Sequence, residues 1–201
     1  MKIAVVDYGA GNLASVLKAF HAVGTDPFIA RAPADAAGAA GIVVPGVGHF
    51  AATQTLGDNW RGVLRAPGVP LLGICLGMQL LFEGSDEAPD VPGLGFFDGR
   101  VTRMNDSGSA IKIPHVGWNT FEPVVASPLF DNVPLGAAAY FTHSYAAPIA
   151  EGTVAETTHG ARFASIVDRG RVAGMQFHPE KSGAAGLTLI RNWVRRCSAS
   201  A

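Results

Sequence analysis

Short, near-continuous apolar runs that alternate with helical patterns constrain this chain more than any other feature. "KIAVVD" (2–7), "GIVVPG" (41–46) and the run into "LLGIC" (71–75) read as buried strands, with "TDPFIA" (25–30) as a further short one. Between the first and second lies "NLASVLKAFHAVG" (12–24), an amphipathic helix. A second helix is expected from Ala51 to Leu64, after which Pro67 and Pro70 punctuate the approach to "LLGIC". Buried strands alternating with helices imply a parallel sheet covered on both faces. The segment "RAPADAAGAA" (31–40) is too rich in alanine and glycine to assign.

After Glu83 the texture changes. Segments around 97–104, 111–113, 138–145, 153–158, 163–168 and 172–177 read as strands joined by short turns, with a hairpin turning at Arg169-Gly170. A last helix is expected over roughly 184–196. The expectation is one α/β domain over 1–201, with a mostly parallel central sheet and an antiparallel portion added in the C-terminal half. At 201 residues there is no room for a second catalytic domain.

Composition excludes several classes of function. A formal net charge of −1, with scattered rather than clustered Lys and Arg, gives no electrostatic support for binding nucleic acid or a membrane surface. No apolar run reaches the about 18 residues of a membrane span, and the opening "MKIAVVDYGAGN" does not read as a leader. The two cysteines, Cys75 and Cys197, form no CxxC pair and no disulfide framework, so a reducing cytoplasm is the simplest compartment. Cys197, in the polar tail "RRCSASA", reads as incidental.

Cys75 does not. It ends a strand, opens the helical pattern "LGMQLLF", and has Gly73 and Gly77 two residues to either side. "GICLG" matches the nucleophile elbow G-x-S-x-G with cysteine for serine, where small flanking residues let strand and helix pack closely. A helix start favours a thiolate, and the N–H of Leu76 would face a developing oxyanion. The competing reading is a buried small hydrophobe, which is what most free cysteines are.

A nucleophile needs a base and an orienting group brought in from elsewhere in the chain. Of the six histidines, His178 stands out because it follows the strand "VAGMQF" and opens "HPEKS". Pro179 keeps His178 extended, and residues i and i+2 of an extended chain share a face, which sets Glu180 beside the imidazole. A carboxylate there can fix the tautomer and stabilise the imidazolium.

Taken together, "GICLGMQ" and "FHPE" resemble the class I (triad) glutamine amidotransferase domain. "VVDYGAGNLASV", "VVPGVGHF", "PHVGWN", "CLGMQLLFEGSDE", "HSY" and "QFHPEKS" narrow the resemblance to the glutaminase subunits of imidazole glycerol phosphate synthases, over the whole chain. The resemblance implies a three-layer, flavodoxin-like sheet domain. It implies that Cys75 attacks the side-chain amide of L-glutamine, that His178 shuttles the proton, and that Glu180 orients His178. Leu76 and Val47 would supply the oxyanion N–H groups, the latter from a "PGVG" loop whose glycines suit close backbone approach. Gly48, Gln79, Glu87, Ser144 and Tyr145 match substrate-binding positions, whereas Glu83 and Asp86 read as solvated charges.

No cofactor and no metal are implied: nothing resembles a phosphate-binding loop, and "DYGAGN" does not fit GxGxxG. The implied partner is a (β/α)8-barrel cyclase. It uses the ammonia with a ribulosylaminoimidazole carboxamide nucleotide to make imidazole glycerol phosphate and aminoimidazole carboxamide ribotide in histidine biosynthesis. Asn12, Trp118 and Lys181 match the barrel-facing surface, although Trp118 reads equally well as a core anchor. The alternatives are a glutaminase serving another synthase, a cysteine hydrolase or peptidase, and a non-catalytic module that keeps the fold.

Overall fold

A computed structural model describes residues 1–66, 68–105 and 111–199; Pro67 lies outside them. The N-terminal part alternates β1 (Lys2–Val6), α1 (Leu13–Ala22), β2 (Asp26–Ala30), β3 (Gly41–Gly46), α2 (Gly57–Arg65), β4 (Leu71–Cys75) and α3 (Leu76–Leu80). There follow β5 (Gly84–Ser85), β6 (Ala88–Pro92), β7 (Arg100–Arg103), β8 (His115–Thr120), β9 (Glu122–Pro123), β10 (Ala138–His143) and β11 (Tyr145–Ala146). The chain then forms β12 (Thr153–His159), β13 (Ala161–Arg169), β14 (Val172–Met175) and α4 (Gly183–Ala199).

The main sheet has eight strands in the order β2-β1-β3-β4-β14-β13-β12-β9. Strands β2 to β14 in that order pair in parallel; β13, β12 and β9 extend the sheet antiparallel. The continuous apolar runs have a direct cause, because alternate residues of one strand enter two different cores. Ile3, Val5, Val43, Leu72 and Ile74 face α1 and α4, where Phe20 and Trp193 meet edge to face at 5.9 Å. Ala4, Val6, Ile42, Val44 and Leu71 face the other way, onto Trp60 and Leu64 of α2. Burying each such large side chain stabilises the fold by about 1.5–3 kcal/mol. With both faces covered, the carboxyl ends of the parallel strands are the open edge where a site can form.

Several sequence expectations change. The single helix over 51–64 is instead a 3-10 turn (Phe50–Leu56) followed by α2, the break falling at Gly57, whose φ of 59° is left-handed. No strand forms at 111–113. That segment leads into Pro114 and then β8, a strand that alternation missed because its outward positions include the exposed Val116 and Trp118. The run 138–145 divides at Ser144 into β10 and β11. Arg169 pairs with Val172, so the hairpin turns one residue later than expected, at Gly170-Arg171. Cys197 is not incidental: α4 runs to Ala199, and the thiol is wholly buried against Gly41, where an added Cβ would lie 2.7 Å from its sulfur.

Candidate active site

β4 ends at Cys75 with φ 54° and ψ −108°, a left-handed conformation rare for a residue with a side chain. A strained backbone of this kind persists only where its surroundings hold it. Here they do so by close packing of α3 against β3 and β4. A Cβ on Gly73 would lie 2.7 Å from the Met78 nitrogen and closer still to the Gly77 backbone, and one on Gly77 would overlap the Val44 carbonyl. Leu76 is the first residue of α3, so its N–H has no acceptor within the helix.

β14 lies beside β4, with Met175 opposite Ile74, and the chain leaving it brings His178 to the same sheet edge. His178 is extended (φ −96°, ψ 94°), but Pro179–Lys181 form a 3-10 turn, so Glu180 reaches the imidazole through that turn rather than along an extended strand. His178 Nδ1 and Glu180 Oε1 are 2.8 Å apart, and both side chains are almost wholly buried. Because a carboxylate accepts, Nδ1 carries the proton and Nε2 is the atom left for the sulfur. Among the described residues Nε2 has no hydrogen-bond partner, although the Cys75 sulfur acts on the imidazole to raise it. Burial alone pulls His178 down; the interactions with Cys75 and Glu180 outweigh it and raise the imidazole to about 9.

Beside the sulfur is a cavity lined by Gly48, Cys75, Leu76, Gln79, Glu87, Thr142, His143, Ser144 and Tyr145. Of the three carboxylates in "EGSDE", only Glu87 faces it, and the Phe50 N–H donates to its Oε2 at 2.7 Å. Glu83 accepts from the Gly99 N–H, and Asp86 pairs with Arg100. Gln79 donates from Nε2 to the Tyr145 carbonyl at 2.9 Å, and the Ser144 carbonyl accepts from the Met104 N–H. Gly46 pairs with Cys75 across β3 and β4; the next residue, Val47, has an exposed side chain and does not line the cavity, whereas Gly48 (φ +94°) does.

The three surface residues are spread around this site. Trp118 is 60% exposed, which removes the core-anchor reading, and its ring lies 6.2 Å from Tyr140, edge to face. Lys181 Nζ sits 5.8 Å over the same Tyr140 ring, and the Tyr140 carbonyl accepts from the His178 N–H. Asn12 caps α1, accepting from the Ser15 N–H at 3.3 Å, and α1 packs on the turn that carries Glu180.

Sequence reasoning missed two groups. Gln176, wholly buried just after β14, accepts from Gln79 Nε2 and has its own Nε2 3.8 Å from the Cys75 sulfur. A histidine chain also ends at the cavity. The Tyr145 carbonyl accepts from His143 Nδ1 (2.8 Å), so His143 Nε2 accepts from His115 Nδ1 (3.2 Å), and His115 Nε2 from the Asn119 amide (3.3 Å). Burial, together with neighbouring histidine charge, lowers His143 to about 4 and His115 to about 3, consistent with neutral rings throughout the chain. Their only sequence signals were "HSY" and "PHVGWN", which carry no visible spacing rule. Among the described residues, no group of three or more His, Cys, Asp or Glu is arranged to hold a metal ion, and no helix is long and apolar enough to cross a membrane.

Comparison with known proteins addresses the family and the fold. The family model for glutamine amidotransferase class-I matches residues 4–197. The imidazole glycerol phosphate synthase subunit HisH of Symbiobacterium thermophilum is 46% identical, over 96% of this chain and 93% of its own. The HisH subunit of Thermococcus kodakarensis is 47% identical, over 96% and 99%. A solved glutamine amidotransferase superposes with a TM-score of 0.74 at 18% identity, over 97% of this chain and 98% of its own, a likeness of fold. The chain therefore belongs to the class-I glutamine amidotransferases and, within them, to the family of imidazole glycerol phosphate synthase HisH subunits.

Proposed function

We propose that this chain, as a single amidotransferase domain, hydrolyses L-glutamine and passes the ammonia to a cyclase subunit in histidine biosynthesis. The observation that carries the reading is the Cys75 elbow and the His178–Glu180 pair at the ends of adjacent parallel strands, in a chain so similar to HisH subunits. Cys75 passes its proton to His178 Nε2, which the neighbouring sulfur and Glu180 hold as an imidazolium, and Sγ then attacks the side-chain amide carbon. The N–H groups of Leu76 and Val47 stabilise the oxyanion, each donor being worth about 3 kcal/mol in sites of this kind. His178 then protonates the departing nitrogen as ammonia, leaving a glutamyl thioester. Water, deprotonated by the same imidazole, hydrolyses the thioester to glutamate and frees the thiol. Glu180 keeps the ring in one tautomer through both steps. Glu87, Gln79, Gly48, Ser144 and Tyr145 surround the amino-acid end of the substrate.

Free ammonia at neutral pH is mostly protonated and unreactive, which favours direct delivery. The partner in this reading is a (β/α)8 barrel, docking over the face with Trp118, Lys181 and Asn12. Lys181 follows the triad carboxylate and rests on Tyr140, whose carbonyl binds the His178 N–H, so a partner that engages Lys181 acts one residue from the chemistry. The test is glutamate formed from L-glutamine, with and without the cyclase subunit and its nucleotide ligand. Turnover stimulated by the partner and abolished by Cys75→Ala is expected. Activity that survives Cys75→Ala, or cleavage of peptides but not glutamine, rejects the reading. Unchanged stimulation in Lys181→Ala removes the proposed link to the partner.

A further inference from the structure

We propose that Gln176 is a positioning residue for the nucleophile: its amide, locked in one orientation by Gln79, donates to the Cys75 sulfur. This inference rests on the reading of Cys75 as the glutaminase nucleophile.

The orientation follows from hydrogen-bond bookkeeping that begins at a group with no freedom. A backbone carbonyl can only accept, so the Tyr145 oxygen fixes Gln79 with its amino end toward it, at 2.9 Å. The second hydrogen of that amino group goes to Gln176 Oε1 at 3.2 Å. Turning the Gln176 amide over would set two amino groups against each other and leave buried donors unpaired, at a cost far above that of the observed arrangement. The Gln176 amino group therefore faces away from Gln79, and Sγ of Cys75, 3.8 Å away, is within reach of one of its two N–H groups. Gln176 is wholly inaccessible, so no water competes for that donor. Its own N–H is held by the Ser165 carbonyl, which continues the β13–β14 ladder beneath it.

Two consequences follow for the reaction. An amide N–H aimed at sulfur becomes a charge-assisted donor when the sulfur is negative, so it holds the side chain in attacking position and shares the charge. The same lock consumes both Gln79 amino hydrogens, leaving Gln79 Oε1 as the amide atom presented to the ligand. Gln79 then reads a donor on the substrate, which suits the α-ammonium of glutamine. The Tyr145 carbonyl that starts the sequence also accepts from His143, so the neutral histidine chain braces the same point from behind.

The test is Gln176→Met in the full chain, assayed with its cyclase subunit for glutamine turnover, and alone for alkylation of Cys75 by iodoacetamide followed by peptide mass spectrometry. Loss of a charge-assisted donor is expected to lower kcat about tenfold or more and to slow alkylation by a similar factor. KM rises by a few fold, since Gln79 loses one acceptor. Both rates within twofold of the parent, at an unchanged melting temperature, overturn the proposal. A parent that turns over no glutamine instead overturns the functional reading, so the two failures are distinct. Gln176→Glu guards against a misfolded Met variant, because its ionised carboxylate has no donor for sulfur and its protonated form does. Its activity relative to the parent should climb as pH is lowered from 9 to 6, and a flat ratio counts against the proposal.

Discussion

Gly77→Ala isolates what the glycine-flanked turn contributes. The added Cβ would fall on the Val44 carbonyl, which cannot swing aside because β3 is paired with both β1 and β4. To restore an ordinary carbon–oxygen contact, α3 must move away from the sheet by more than an ångström. Overfilling of this kind costs about 1–3 kcal/mol in side-chain cores, and the upper end applies where the obstacle is backbone. For a chain of this size, each kcal/mol lowers the melting temperature by about 2–4 °C, so a loss of roughly 6–12 °C is expected. The shift also carries the Leu76 N–H and Cys75 off line, and misplacement by about 1 Å can cost on the order of 100-fold in rate. The control is Gly170→Ala, in the β13–β14 hairpin. Its φ is +60°, but an added Cβ meets nothing within 4 Å, so only conformational cost remains, about 1–2 kcal/mol. The assays are thermal unfolding and glutamate release with the cyclase present. If Gly77→Ala melts within about 2 °C of the parent, or retains most of its turnover, the steric account of the elbow is wrong.

Other outcomes are expected from the same structure. Because His178 is raised to about 9, the imidazolium that protonates departing ammonia is lost above that pH, and glutamine turnover should fall on an alkaline limb near 9; a profile flat to pH 10 contradicts this. His143 and His115 are held below their ordinary value, so their contribution is complete above about pH 6.5 and is lost as pH falls toward 4 and 3. For His143 alone this is roughly 3 kcal/mol, seen as a falling melting temperature between pH 6.5 and 4 that His143→Gln should flatten. Cys197 is buried and its thiol is pushed up to about 12, mainly by that burial, so native protein should be alkylated at Cys75 and not at Cys197 until it is unfolded.

The parallel half of the sheet was legible because burial on both faces erases polar alternation, and "KIAVVD" and "GIVVPG" carry that mark. The elbow was legible because the two glycines that let α3 approach lie within two residues of Cys75. Gln176 was not legible, because its partners Gln79 and Cys75 are about a hundred positions away and a single buried amide disturbs no periodicity. The histidine chain was hidden for the same reason, as it joins β8, β10 and the Tyr145 backbone across breaks in sequence. The helix expected over 51–64 failed at Gly57, where helical spacing continued in sequence while the backbone turned left-handed. Cys197 was misjudged because polar neighbours in "RRCSASA" suggested a tail, whereas one face of α4 stays apolar to its end.

The outermost strands of the eight-stranded sheet, β2 and β9, each contain a proline, Pro27 and Pro123. An imide nitrogen cannot donate, and β9 is only two residues long, so neither rim offers a full row of N–H groups for another strand to zip onto. The sheet is thereby poorly suited to growing sideways by strand addition into aggregates.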